Sequence, residues 1–341
     1  MEELLIAYSN LNDFISQLMG EYNVIGPVRK ENKFAFEPLE SPSDIVIDYQ
    51  TTILPPSKWI YLNNEALLEF NLHDIKKTKA IVNSKRQVIL FAHPCDINGI
   101  NVMDQILGEA PADLNYLKRR KETVIIGYEC LKPCGEKNLC FDKDYHKAAG
   151  GFDLLFTDIG KSFYVHVATQ VGKEIVSYSS FFKKVSYNDR NDLFNVRIEG
   201  AKEFKRVLSG NVDMLSHHLK DSYDDMIWDV MGKKCVSCGA CNIVCPTCYC
   251  FDVVDEVNMD MDTGCRHRRW DACQLNDFSK VASGENFRRT AAERVRHRVF
   301  KKEVYLKKRF GRSGCVGCGR CIYSCIAKIS ILDIFNQVMV G

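Results

Sequence analysis

The chain has 341 residues, 46 % hydrophobic and 26 % charged, with a formal net charge of +2 at neutral pH. That is the balance of an ordinary globular protein of about two domains, and nothing in the overall charge points to nucleic-acid or membrane binding. The N-terminal MEELLIAYSNL carries two acids where a secretion signal needs a basic and then an apolar stretch, and no apolar run approaches the ~18 residues of a membrane helix, so a cytoplasmic location is expected.

In chain order, IVIDY (45–49), QVILFA (87–92) and TVIIGYE (123–129) are short β-branched, apolar runs bounded by polar or Gly/Pro residues, as buried strands are. Residues 97–108 and 112–121 read as helices between them. GFDLLFTD and SFYVHVAT predict a strand pair that turns near Gly160. Val207 to Met231 has roughly helical spacing broken at Gly210, and the stretch from Cys250 to Cys315 also reads as helical. The fold class expected is α+β: a mixed α/β domain over residues 1–205, then an α-helical ferredoxin-like dicluster domain over 206–341.

Sixteen cysteines stand out. In a reducing cytosol such a surplus points to metal binding or redox chemistry rather than disulfides. Four lie at Cys95, Cys130, Cys134 and Cys140, and the other twelve fall between Cys235 and Cys325. KKCVSCGACNIVCP (233–246) and SGCVGCGRCIYSC (313–325) are one motif occurring twice, each with a glycine after its second cysteine that lets the loop wrap a cluster closely.

Cys235, Cys238, Cys241 and Cys245, followed by Pro246, form the bacterial-type ligand run of a [4Fe–4S] cluster. Three closely spaced cysteines reach three irons of one cube, and the fourth faces a second cube. Cys315, Cys318, Cys321 and Cys325 repeat the spacing, with Ile326 where proline is usual. The expected exchange gives one cluster Cys235, Cys238, Cys241 and Cys325, and the other Cys315, Cys318, Cys321 and Cys245. A zinc-stabilised scaffold is the competing reading, but zinc sites use paired ligands rather than a run of three plus one.

The segment 264–298 is rich in arginine. Arg288, Arg289, Arg294, Arg296 and Arg298 form either a solvated helix face or a functional set that donates to the thiolate-rich clusters or docks an acidic partner, raising the reduction potential. Trp270 and Phe278 read as core, and His267 and His297 as weak ligand candidates. Cys95 follows one predicted strand and Cys130 ends another. If those strands are neighbours, both thiols share a sheet edge with the loop holding Cys134 and Cys140, a candidate third cluster site. The competing reading is four buried thiols packing as small hydrophobes. There is no G-x-G-x-x-G opening a βαβ unit, no P-loop and no G-x-S-x-G elbow. The chain is therefore expected to carry electrons rather than turn over an organic substrate.

CGACNIVCPTCYCFDV (238–253), RRWDACQLNDFSKVASGENFR (268–288) and FAHPCDINGI (91–100) resemble the A subunit of anaerobic sulfite reductase and, equally, the β subunit of cytosolic sulfhydrogenases. The resemblance implies a non-catalytic electron-transfer subunit. It would draw electrons from a flavin-bearing NAD(P)H-oxidising partner and pass them to a sirohaem subunit that reduces sulfite, the leading expectation, or to a nickel–iron hydrogenase. In that family the N-terminal site often reads C-F-C where this chain has Cys140-Phe141-Asp142. Either Cys134 replaces the missing thiol or Asp142 ligates through oxygen. Cys248, Cys250 and Cys273 match family positions, as neighbours that tune the clusters or as further ligands. Cys265 does not.

Overall fold

The computed structural model describes residues 2–340. Twelve strands form two sheets: β1 (Glu2–Ala7), β2 (Asn23–Lys30), β3 (Lys33–Pro38), β4 (Glu65–Asn71), β5 (Lys79–Ala80), β6 (Gln87–Ala92), β7 (Thr123–Tyr128), β8 (Leu154–Asp158), β9 (Ser162–Val167), β10 (Phe182–Lys184), β11 (Phe251–Val257) and β12 (Thr263–Trp270). The larger sheet runs β10-β1-β9-β8-β7-β6-β2-β3. Its centre, β2-β6-β7-β8, is parallel, and antiparallel strands close both edges. Every residue of QVILFA is buried, because helices and loops cover both faces of a parallel strand. One apolar layer packs the helix Leu11–Glu21 on one face, and a second packs Ile97, Ile100 and Tyr116 on the other.

The end of β6 is bent. Phe91 sits at φ +58° and the β6–β7 register slips between Leu90 and Ala92. Such a bulge re-aims the chain and holds about 1–3 kcal/mol of strain at a bulky residue. Directly after it, His93 precedes the helix Pro94–Gly108, whose second residue is Cys95. Cys130 leaves the same edge just after β7, so both thiols stand at the carboxyl ends of neighbouring parallel strands, where open α/β sheets bind ligands.

Two expectations fail here. IVIDY is not a strand: Val46 donates to Pro27 O and the Tyr49 hydroxyl donates to Phe91 O, so the segment is a loop laid over the sheet edge. The stretch after Cys250 is not helical at first. β11 and β12 form a hairpin, held by Arg266–Asp255 and Arg269–Glu256 pairs, and β4 and β5 join it in the second sheet. That sheet crosses the boundary expected at residue 205. Helix returns over Ala291–Phe300, runs through a π turn at Lys301–Tyr305 and ends at Phe310. Between Val207 and Met231 the helical spacing resolves into the separate helices Leu215–Asp221 and Ile227–Lys234.

The C-terminal helices bury their own core around Leu219, Trp228, Val299, Phe300 and Phe335, and Leu139 from the N-terminal half inserts into it. Polar bonds bind the halves as well. Ser57 donates to Pro246 O and Lys58 to Cys248 O, while Arg320 forks onto the buried carboxylate of Asp96 at 2.6 and 3.0 Å. Among the described residues no helix is long and apolar enough to cross a membrane.

Candidate metal centres

Each cysteine run is a loop followed by one helical turn, Ala240–Ile243 in the first and Arg320–Tyr323 in the second. Gly239 and Gly319, both at φ +74°, start those turns from the left-handed region that side chains avoid. The turn folds the third cysteine back beside the first two and sends the fourth, after the turn, across to the other loop.

Three cavities result. The first is lined by Cys235, Cys238, Cys241 and Cys325, with Cys321 at its inner wall. The second is lined by Cys245, Cys315, Cys318 and Cys321. Backbone N–H groups already point at sulfur, Ser237 N to Cys235 Sγ at 3.4 Å and Ile329 N to Cys325 Sγ at 3.3 Å. Burial pushes the Cys241, Cys315 and Cys318 thiols up to about 12. Burial also opposes ionisation of Cys245, but the Lys302 ammonium and the Arg298 guanidinium outweigh it and lower that thiol.

Of the five arginines, only Arg298 enters the cavities, and it lines both. It donates to Cys241 O at 3.0 Å, while its buried Nε has no protein partner. A buried guanidinium that lines both thiol-rich cavities fits a group rich in sulfur acceptors, which is the chemistry of [4Fe–4S] clusters. Arg294 is spent on Ser237 Oγ and on backbone carbonyls, and Arg296 stacks on Tyr223. Trp270 packs against the N-terminal core, and Phe278 packs beside Cys248 and Cys273. His267 faces Glu256, His297 lies against Tyr305, and neither lines a cavity.

The third cavity brings together Cys95, Cys130, Cys134 and Cys140, with His93, Arg320 and Cys318 in its wall. His93, Cys130 and Cys134 place their ligand atoms within 4.8 Å of one another, close enough to hold a metal. The His93 ring is clamped face to face on Tyr49, with centroids 4.0 Å apart, and its Nδ1 is 3.7 Å from Cys134 Sγ. The hydrogen bond from Cys130 holds the Cys134 thiol well below its ordinary range, against burial, with help from His93. Burial pushes Cys95 up. The Asp142 carboxylate accepts from the N–H groups of Val207 and Leu208 and does not line the cavity, whereas Cys134 does. His93 was missed in the sequence, although it stands two residues before Cys95 in the quoted FAHPCDINGI.

Gly317 brings this site against the second loop. At φ +70°, its carbonyl accepts from Leu139 N at 2.9 Å, and a Cβ there would lie 2.4 Å from the backbone of Leu139 and Cys140.

Residues 234–329 match the 4Fe-4S dicluster domain family. Over 333 residues the chain is 32 % identical to sulfhydrogenase 2 subunit beta of Pyrococcus furiosus, covering 96 % of each protein. The chain belongs to the sulfhydrogenase β-subunit family. It is also 25 % identical over 107 residues to the F420-dependent formate dehydrogenase 1 subunit beta of Methanococcus maripaludis, across 30 % of this chain and 26 % of that protein. No solved structure matches the chain. As a member of this family with a dicluster domain, the protein is an iron–sulfur electron-transfer subunit that carries two [4Fe–4S] clusters, and the first two cavities fit them.

The remaining cysteines divide. Cys248, Cys250 and Cys273 are buried together beside Cys245, whereas Cys265 is alone on β12 opposite Glu69. The hydrogen bond from Cys250 lowers the Cys273 thiol to about 7 against burial.

Proposed function

We propose that this chain is a three-centre electron relay within a cytoplasmic oxidoreductase complex. Two cubes would take the exchanged ligand sets, Cys235, Cys238, Cys241 with Cys325, and Cys315, Cys318, Cys321 with Cys245. A third would sit on Cys95, Cys130, Cys134 and Cys140, with His93 beside it. The observation that carries the reading is the sharing of walls: Cys321 borders the first and second cavities, and Cys318 borders the second and third. When bound, a [4Fe–4S] cluster takes up and releases one electron at a time.

The chain's own residues do the rest. Leu139, Val316 and Ile331 close the second cavity with apolar surface and keep water from its thiolates. Arg298 offers one positive charge to both neighbouring cavities, which favours reduction of either centre. The first cavity reaches the surface at Cys238, flanked by exposed Val236 and Ile326, and is the natural end for contact with a partner. In this reading residues 1–205 supply the third centre and residues 206–341 the two cubes, with the β11-β12-β4-β5 sheet joining the two parts.

The relay would receive electrons from a flavin subunit that oxidises NAD(P)H. Between the two terminal acceptors, the relative named a sulfhydrogenase subunit supports a nickel–iron hydrogenase partner. Sulfite reduction at a sirohaem subunit, the leading expectation from the motifs, is the second reading, and the segments at 238–253 and 268–288 favour it as much. Hydrogen evolution against sulfite consumption by the complex co-purified with this chain separates them. The relay itself is tested by iron and acid-labile sulfide per chain after anaerobic purification. About twelve of each supports three cubes, and about eight confines the redox chemistry to the C-terminal pair.

A further inference from the structure

The second cavity has a cation of its own, Lys302. It lines that cavity together with Arg298, whereas the first cavity has Arg298 without it and the third has neither. Lys302 is 3 % exposed and stands in the π turn that follows the helix Ala291–Phe300. Single π turns inside helices are frequent at functional sites. On either side the chain is otherwise engaged. The Lys301 ammonium lies over the Tyr249 ring, 3.9 Å from its centroid, and the Glu303 carboxylate already accepts from Lys143 and Ser313.

Among the described residues Lys302 has no carboxylate partner. Its Nζ donates to the Thr247 carbonyl at 2.9 Å and to the Thr247 hydroxyl at 2.6 Å. Arg298, four positions earlier, faces thiols and no carboxylate either. Like charges at that spacing on one helix repel, and an unpaired buried charge is strongly unfavourable. The groups that favour the charged forms are Cys245 and Cys248 for Lys302, and Cys241, Cys321 and Cys245 for Arg298. Cys245 is common to both. Thr247 is fully buried, and its Oγ1 also lies 3.4 Å from Cys245 Sγ, so the hydroxyl pins the ammonium beside the cysteine that leaves the first loop for the second cavity. Neutral thiols cannot balance two buried cations. A cube held by four thiolates is an anion and can.

We propose that Lys302 sets the reduction potential of the second cube, acting through space at Cys245 and seated there by Thr247, on the reading that Cys245 belongs to that cube by exchange. Reduction adds one negative charge to a cube, and a neighbouring buried cation stabilises that charge far more than it would in water. Arg298 borders both cavities and cannot set the two cubes apart. Lys302 borders one, and raises the second potential above what the shared arginine supplies. Thr247 is a positioning residue: it carries no charge and fixes where the ammonium stands.

The test uses the full chain purified without oxygen, with the potential of each cube followed by EPR during a reductive titration. The component altered in Cys315→Ser marks the second cube, and the one altered in Cys238→Ser marks the first. Lys302→Gln removes the charge and keeps a donor. It should hold the parent's iron and sulfide and shift the one-electron equilibrium between the cubes at least tenfold toward the first, about 59 mV. Lys302→Arg should restore most of that shift. Thr247→Val keeps the charge and loses its seat, and should move the same component in the same direction by roughly threefold. It decides the question if Lys302→Gln loses its clusters. An unchanged second potential in every variant that keeps its clusters overturns the proposal and leaves the exchanged ligand sets standing. An equal shift of both cubes also overturns it, since a general loosening would do the same. A shift confined to the first cube would mean that Cys245 ligates with its own run, and the exchange and the proposal then fall together.

Discussion

The chain gathers cysteines in two ways. In the C-terminal module, three sulfurs of each cavity come from one seven-residue loop, and only the fourth crosses over. In the N-terminal half, Cys95 and Cys130 are 35 positions apart and meet only because β6 and β7 pair in parallel, while Cys134 and Cys140 arrive on a loop. The first kind of site is built by local backbone and tolerates much change around it. The second exists only as long as the sheet edge, the bulge at Phe91 and the contact at Gly317 all hold.

The largest effect should come where the two kinds of site meet. Cys318→Ser removes a thiol that lines both the second and the third cavity. We expect loss of about four irons per chain and a fall of at least tenfold in electron throughput from a flavin donor to a dye acceptor. Retention of the parent rate would break the wall-sharing relay. Gly317→Val tests the contact alone: a side chain at φ +70°, 2.4 Å from backbone, must push the halves apart. The expected cost is about 3 kcal/mol or more in denaturant unfolding, with the third EPR component lost before the other two.

Asp96→Asn leaves the Arg320 guanidinium buried without its charge partner. Destabilisation of about 3–5 kcal/mol is expected, again felt first at the N-terminal site. Arg298→Met should lower the potentials of both C-terminal clusters, on the order of 100 mV for one charge at an effective dielectric of ~20, and Arg298→Lys should restore most of it. If only one potential moved, Arg298 would serve one cavity. The smallest effect is Cys265→Ser, on the half-buried face of β12, where iron content, potentials and stability should match the parent protein.

Much of this was readable residue by residue. QVILFA and TVIIGY are buried parallel strands whose side chains are apolar or β-branched, apart from Gln87, which hydrogen-bonds to Trp59 O and Thr123 Oγ1. Other segments misled for physical reasons. IVIDY has a strand's composition, but residues 42 and 55–56 are prolines, which cannot donate to a ladder, and Tyr49 is drawn onto the His93 ring instead. FDVVDEV and TGCRHRRW lie in a charged stretch that reads as helical, yet the β-branched valines and the Arg–Asp and Arg–Glu pairs match only across a hairpin. Asp142 was the alternative to Cys134 where the family often has a second thiol. Its carboxylate accepts from the backbone N–H of Val207, a use invisible until the loop is folded.

The sequence by itself determined that this protein binds clusters, because ligand spacing within a single loop is a local property and two-residue intervals bring three sulfurs onto one cube. It also determined the largely apolar strands and the glycines that start each turn. Tertiary structure decided what no spacing encodes: which of the other thiols meet, that Arg298 alone of five arginines lies between the cavities, and that His93 faces Cys134. Those relations join residues tens to hundreds of positions apart. They depend on strand pairing and on which buried charges find partners, and a chain settles both only when it packs.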